Sequence, residues 1–263
     1  MRLPLNINKI IPKKSLGQNF IIDKNFINKL NNLITVNEKT TIIEIGPGKG
    51  ALTDALLEKK FRKLFLIEKD NNLHKFLSKK YKLHENITII NKDALELNYA
   101  KFHNEPNVVI IGNLPFNVST QLLFKWLEEK EWPPFYSKMI LMFQKEVADR
   151  IISKHDSKTY GRISVAAQAR CEIRKLINAP SKIFHPIPKV SGTILEFYPS
   201  LKFKEINFFI LQKILKLAFQ QRRKKIKTNL AEYDKILKKL DINQDLRAEN
   251  LSVIDYCNLA INA

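Results

Sequence analysis

Four groups of residues in this chain are of types and spacings that could do chemistry, and each follows a short apolar run. The first is "EIGPGKG", Glu44 to Gly50. The second is Glu68, at the end of "LFLIE". The third is Asp93, after "NITIIN". The fourth is "IGNLPFNVST", Ile111 to Thr120. In the first group Gly46, Gly48 and Gly50 let the backbone turn sharply and come close to a ligand. Glu68 lies about 22 positions beyond Gly46, where an acid can accept both ribose hydroxyls of a nucleoside. Asp93 suits the edge of an adenine. A phosphate-binding P-loop requires G-x-x-x-x-G-K-[ST], and here Lys49 is followed by Gly50. The G-x-G-x-G spacing departs mildly from the G-x-G-x-x-G of dinucleotide folds, so NAD survives on the loop alone. S-adenosylmethionine needs the same ribose and adenine contacts without a pyrophosphate cradle. The bland alternative is an ordinary strand-to-helix turn.

The fourth group asks for a different chemistry. The exocyclic amino group of adenine is a poor nucleophile, because its lone pair is delocalised into the ring. If the Asn113 side-chain oxygen and the Leu114 carbonyl both accept hydrogen bonds from that nitrogen, it is pushed toward tetrahedral geometry and its lone pair is aimed outward. Pro115 fixes φ and stiffens the turn. Phe116 offers a face on which a base can stack. A methyl on a sulfonium is already activated, so positioning and electrostatics suffice and no general base is needed. A plain turn with a buried Phe is the competing reading of the same residues.

These residues need a scaffold that gathers strand ends. "TTIIEIG", "LFLIEKD", "NITIINKDA", "NVVIIGN" and "SKMILMFQKE" read as strands, interleaved with helical stretches such as "ALTDALLEKK" and "TQLLFKWLEEK". Apolar runs alternating with helices indicate a parallel sheet covered on both faces, with ligands at the carboxyl ends of its strands. "KLINAP" and "GTILEFYPS" read as two further strands, possible partners in an antiparallel edge. Asp23 is placed to cap a first helix carrying Phe26, Ile27, Leu30 and Leu33. From about Leu201 the pattern is helical only. The expectation is therefore a catalytic domain over 1–200 with a basic N-terminal arm, and a helical domain over 201–263.

The 263 residues are 44% hydrophobic, with 16 Phe, which is ample for a core. The net charge of +19 points to a polyanion partner rather than to a small metabolite. "QQRRKKIK" concentrates Arg222, Arg223, Lys224 and Lys225, and "IPKKSLGQ" adds Lys13 and Lys14. Charge alone leaves RNA, DNA and anionic lipid open, and both clusters are candidate grips on a phosphate backbone beside a pocket that takes a flipped adenine. Cys171 and Cys257 sit in no metal-ligand spacing, so no metal is expected, and they read as reduced cysteines of a cytoplasmic protein. No run reaches the roughly 18 apolar residues of a membrane span, and the start has neither a signal-peptide core nor an Arg- and Ser-rich transit leader.

Nearly end to end, these stretches resemble the adenine-N6 dimethyltransferases of small-subunit ribosomal RNA, the KsgA family. "KKSLGQNFIID", "IIEIGPGKGALT", "LIEKD", "NKDAL", "IGNLPFNVST", "LMFQKEVADRI", "YGRISVAAQ", "FHPIPKV" and "AFQQRRKKIKTNL" follow in the family's order. The resemblance implies an α/β, Rossmann-like class I methyltransferase domain with a mostly parallel seven-stranded sheet, and a small C-terminal all-helical domain. It implies S-adenosylmethionine as cofactor, contacted by Asn19 and Ile21, with Gly46, Glu68 and Asp93 holding its methionine side, ribose and adenine. It implies that Asn113 touches both cofactor and base, and that Phe116 and Phe184 sandwich the target adenine. It also implies a monomer acting on the rRNA of pre-30S particles. Each of two adjacent adenines, in a hairpin loop near the 3′ end of 16S rRNA, would receive two methyl groups.

Three residues depart from the family pattern. Phe116 stands where Tyr is commoner, Ser191-Gly192 replace part of a usual Val-Asp-Ser, and Lys49 brings a positive charge beside a cationic sulfonium. The rivals are a large-subunit rRNA methyltransferase of the macrolide-resistance type and an assembly factor acting mainly by binding. A DNA adenine methyltransferase fits less well, because Leu114 stands where those enzymes carry Pro.

Overall fold

The computed structural model describes residues 12–13, 17–115 and 118–263; Lys14 and Phe116 lie outside them. Two strands and one helix precede the glycine loop: β1 (Phe20–Ile21), α1 (Lys24–Leu33) and β2 (Thr41–Ile45). Then come α2 (Ala51–Leu56), β3 (Lys63–Glu68), α3 (Asn71–Lys80), β4 (Ile87–Asn91), β5 (Val108–Gly112) and α4 (Ser119–Leu127). They are followed by β6 (Tyr136–Gln144), α5 (Lys145–Ile151), α6 (Arg162–Arg170), β7 (Cys171–Ala179), β8 (Phe184–His185) and β9 (Gly192–Pro199). Four helices close the chain: α7 (Phe208–Ala218), α8 (Ile226–Asn229), α9 (Asp234–Lys239) and α10 (Val253–Ile261).

The expected seven-stranded sheet is present, in the order β4-β3-β2-β5-β6-β9-β7. The pairings β2–β3, β2–β5, β3–β4 and β5–β6 are all parallel. Every residue of β2 and of β5 is buried. That is why those strands read as unbroken apolar runs rather than as an alternation. Register sorts them onto two faces. Ile42 lies beside Leu64 and Val109, and Ile111 lies beside Ile140. These residues share one core with Phe26, Ile27 and Leu30 of α1, Leu52 and Leu56 of α2, and Phe76 and Leu77 of α3. Helix α1 begins as its sequence suggests, with the Phe26 amide donating to Asp23 Oδ1 at 2.8 Å. Leu33, at the far end, is 39% exposed and contributes less to that core than its spacing suggests.

Two features were not visible in the sequence. β1 and β8 pair antiparallel as a separate two-stranded ribbon, setting Phe20 opposite His185 and Ile21 opposite Phe184. Lys138 of β6 and Glu196 of β9 form a buried ion pair at 3.3 Å, and Lys138 also donates to Thr35 Oγ1 at 2.9 Å.

The chain divides into two compact units, and the division does not fall at residue 200. The first unit takes 1–123, 135–145 and 175–196; the second takes 124–134, 146–174 and 197–263. Helix α6 groups with the C-terminal helices because it packs against both α7 and α10. That packing is long-range in sequence and leaves no boundary signal in composition. Among the described residues, no helix is long and apolar enough to cross a membrane.

Candidate functional site

The first unit holds a cavity of about 240 Å³ at the carboxyl ends of β2, β3, β4 and β5. The glycine loop forms one wall. Gly46 and Gly48 have φ of +66° and +59°, which L side chains rarely adopt. A Cβ on Gly48 would lie 2.8 Å from Phe20 Cδ1, so the loop must stay bare for the N-terminal segment to close over it. Lys49 has its ammonium 5.4 Å from the centre of the Phe20 ring, a cation–π position.

Two buried acids follow from the strand register. Glu44 sits mid-strand on the core face of β2 and accepts from Thr53 Oγ1 at 2.7 Å. Burial pushes its carboxyl up to about 7, with the Thr53 hydrogen bond pulling the other way. Glu68 ends β3 and lines the cavity. Burial pushes it up to about 7 as well, opposed by backbone amides, among them Asp70 N–H at 2.8 Å. Asp93 also lines the cavity; its Oδ1 accepts from the Leu95 amide at 2.9 Å, and its Oδ2 meets Lys69 Nζ at 2.6 Å. Lys69, a residue that its sequence context does not single out, thus sits on the acid that follows β4.

Asn113 follows β5 and lines the same cavity. Its Nδ2 donates to the Asn19 carbonyl at 3.3 Å, which leaves its side-chain oxygen as the acceptor. Leu114 is buried, and the Pro115 carbonyl accepts from the Val118 and Ser119 amides at 3.0 and 3.1 Å, fixing the exit from the turn. Asn19, Ile21 and Phe184 all line the cavity, and the β1–β8 ribbon joins them. The Ile22 amide extends that ribbon by donating to the Ile183 carbonyl at 2.9 Å. Phe184 is 1% exposed, so its ring is held by the core and not by solvent. The Ser191-Gly192 departure bears on another lining residue: a Cβ on Gly192 would lie 3.1 Å from Sδ of Met142.

The residues brought together are thus Asn19, Ile21, Gly46, Glu68, Asp93, Asn113, Leu114 and Phe184. Sequence reasoning missed Phe20, Lys69 and His185, which also line the cavity. A hint for Phe20 and His185 was available, since "NFII" and "IFH" each put an aromatic or apolar pair beside a residue already singled out.

The basic clusters fare differently. Lys13 is ion-paired at 2.6 Å with Asp70, the N-cap of α3, so it latches the arm to the strand that carries Glu68. In the second unit, Arg222 Nη2 donates to the carbonyls of Lys158 and Tyr160, each at 3.1 Å, and pairs with Glu249 at 2.9 Å. Lys225 and Lys227 share Asp245 at 3.0 and 2.8 Å, and together they hold its carboxyl down at about 2, with the Lys227 hydrogen bond leading. Arg223 and Lys224 are exposed, and their side chains have no hydrogen-bond or ion-pair partner among the described residues. Both cysteines are buried thiols; burial pushes Cys257 up to about 12 and Cys171 higher still.

Comparison with known proteins identifies the family and the fold. A family profile described as Ribosomal RNA adenine dimethylase matches residues 11–263. A Ribosomal RNA small subunit methyltransferase A from Buchnera aphidicola (subspecies Schizaphis graminum) is 39% identical over 260 residues, 97% of this chain and 93% of that protein. A solved dimethyladenosine transferase from Plasmodium falciparum matches with a TM-score of 0.80 at 22% identity, over 92% of this chain and 96% of its own. A solved 23S rRNA methyltransferase matches with a TM-score of 0.67 at 20% identity, over 92% of this chain and 98% of its own. At those identities the two structures bear on the fold, which is that of a methyltransferase.

Proposed function

The chain belongs to the ribosomal RNA adenine dimethylase family, and we propose that its substrate is the small-subunit RNA of a pre-30S particle. There, N6 of two adjacent adenines near the 3′ end of 16S rRNA is dimethylated by the enzyme acting as a monomer. The enzyme uses S-adenosylmethionine, and the cavity suits that cofactor on its own terms. It offers a bare glycine cradle, a buried acid at the end of β3, and a second acid after β4. When bound, S-adenosylmethionine supplies an electrophilic methyl group.

The chain's own residues do the rest. Glu68 accepts from the ribose hydroxyls, and Asp93 from the adenine amino group. Asn113 Oδ1 and the Leu114 carbonyl accept from N6 of the target base, turning its lone pair toward the methyl. Phe184, fixed by the β1–β8 ribbon, stacks on one face of the base, and Phe116 is assigned to the other. N6 carries a positive charge once the methyl has transferred, and the proton then leaves to water. A neutral amide at Asn113 suits this, because it need not take that proton itself.

The observation that carries this reading is the Asn113–Asn19 hydrogen bond, which orients the amide with its nitrogen toward the Asn19 carbonyl and its acceptor oxygen turned away from it. The identity of the near full-length relative favours the small subunit over the large. Arg223 and Lys224 are assigned to the RNA backbone, with the helical residues 201–263 as the subunit-binding region and the cavity-bearing unit as the catalytic one. Asn113→Ala is expected to lower kcat by roughly 100- to 1000-fold, the usual cost of one preorganised contact to a transition state. Subunit binding by the variant should persist. Methylation at an unchanged rate would refute the role given to Asn113.

A further inference from the structure

Helix α3 covers one face of the sheet, and the residues at its C-terminal end reach the glycine loop from outside the cavity. The Tyr81 hydroxyl lies 2.7 Å from Asp54 Oδ1 and 3.1 Å from the Gly50 carbonyl. It has one proton for two acceptors, and the shorter contact is to the carboxylate. Lys80 Nζ lies 2.6 Å from Asp54 Oδ2 and 3.2 Å from the Lys49 carbonyl. The ammonium also sits 5.1 Å from the centre of the Tyr81 ring. Two successive carbonyls of the loop, Lys49 and Gly50, thus lie within hydrogen-bond reach of two successive residues about thirty positions away in sequence, and both of those residues are anchored on Asp54.

Gly50 has φ of +80°, and a Cβ there would run into the Tyr81 hydroxyl. The bare Gly50 and the buried Tyr81 thus depend on each other. Neither Lys80 nor Tyr81 lines the cavity, whereas Gly46, Gly48, Lys49 and Ala51 do. Asp54 belongs to α2, so the same cluster ties the first turns of that helix to the end of α3. Burial and the Asp54 hydrogen bond push the Tyr81 phenol well above its ordinary range, so it remains a neutral donor at any working pH.

We propose that Tyr81 and Lys80 are positioning residues for the cofactor. They hold the Lys49–Gly50 segment so that the loop is already shaped for the methionine end of S-adenosylmethionine before it arrives. Removing them lets the loop sample other conformations, and binding must then select the competent one, which lowers affinity without touching the transfer step. The inference rests on the cofactor occupying the glycine-loop end of the cavity.

The test is Tyr81→Phe, which keeps the ring and removes the hydroxyl. By titration calorimetry with S-adenosylhomocysteine, Kd is expected to rise about tenfold, the effect of one lost hydrogen bond in a charged cluster. KM for S-adenosylmethionine should rise in step, while kcat at saturating cofactor stays within about twofold, the mark of lost binding rather than lost transition-state contact. A lower melting temperature with unchanged Kd would overturn the proposal, since that is what a purely structural tyrosine does. If Tyr81→Phe fails to fold, Lys80→Met decides alone, with the same split between KM and kcat expected and unchanged Kd overturning it. Wild-type protein that does not bind S-adenosylhomocysteine would instead remove the cofactor placement itself, and the inference with it.

Discussion

Replacing Glu68 with Gln should stabilise the cofactor-free protein at alkaline pH and weaken its hold on the cofactor. Glu68 is 6% exposed, and burial raises its carboxyl from 4.5 to about 7. Between those values the folded protein keeps a proton that the unfolded chain has released. Stability therefore falls as pH rises, and the loss is complete somewhat above pH 7. At about 1.4 kcal/mol per pH unit, the gap corresponds to about 3 kcal/mol. Gln escapes that cost, but its NH2 must face one of the backbone amides that Glu68 now accepts from, at about 1 kcal/mol. The net is about 2 kcal/mol in favour of the variant at about pH 8.5, or roughly 4–8 °C in Tm for a chain of this size. At about pH 5.5, one unit above the unfolded value, only about 1.4 kcal/mol has been lost, which nearly balances the cost of about 1 kcal/mol to Gln, so the advantage shrinks to a few tenths of a kcal/mol.

Cofactor affinity moves the other way. A neutral amide accepts from the ribose hydroxyls more weakly than a carboxylate, by about 1.5–3 kcal/mol, so Kd rises roughly 10- to 100-fold. Thermal melts across this pH range without cofactor, and calorimetry with it at the alkaline end, read both effects. A Tm difference that does not change with pH would refute a Glu68 that titrates near 7. An unchanged Kd would refute its contact with the ribose.

Other substitutions probe the loop and the basic cluster. Gly48→Ala places a methyl 2.8 Å from the Phe20 ring at a φ of +59°; we expect a stability loss of about 1–2 kcal/mol from the backbone alone, read by denaturant unfolding, and weaker cofactor binding from displacement of Phe20. Changing Arg223 and Lys224 together to Ala should leave Tm unmoved and reduce the slope of log affinity against log salt for subunit binding by about one to two. Arg222→Ala should do the reverse, lowering Tm by a few degrees through the loss of its bonds to Lys158, Tyr160 and Glu249, with little change in that slope.

The central strands were legible because each is buried on both faces and so carries a continuous apolar run. The residues at their carboxyl ends followed directly, which is why Gly46, Glu68, Asp93 and Asn113 stand out in the sequence and do converge on one cavity. The β1–β8 ribbon was not legible: each strand is two residues long, and the pair is joined across about 160 positions. No local pattern marks such a contact. The surroundings of the basic clusters were hidden for a related reason. Charge runs are visible in sequence but their partners are not, so Lys13 and Arg222 look like free cations although Asp70 and Glu249 lie beside them. Lys80 and Tyr81 look like an ordinary helix end, since nothing in "SKKYK" reveals that the glycine loop lies against it.

Methyl transfer itself tests the central claim most directly. Purified protein would be mixed with labelled S-adenosylmethionine and, separately, with unmodified small and large ribosomal subunits, and the labelled nucleoside identified after digestion. The predicted product is N6,N6-dimethyladenosine, from the small subunit alone. Label in the large subunit, or no label in either while subunits still bind, would contradict the claim.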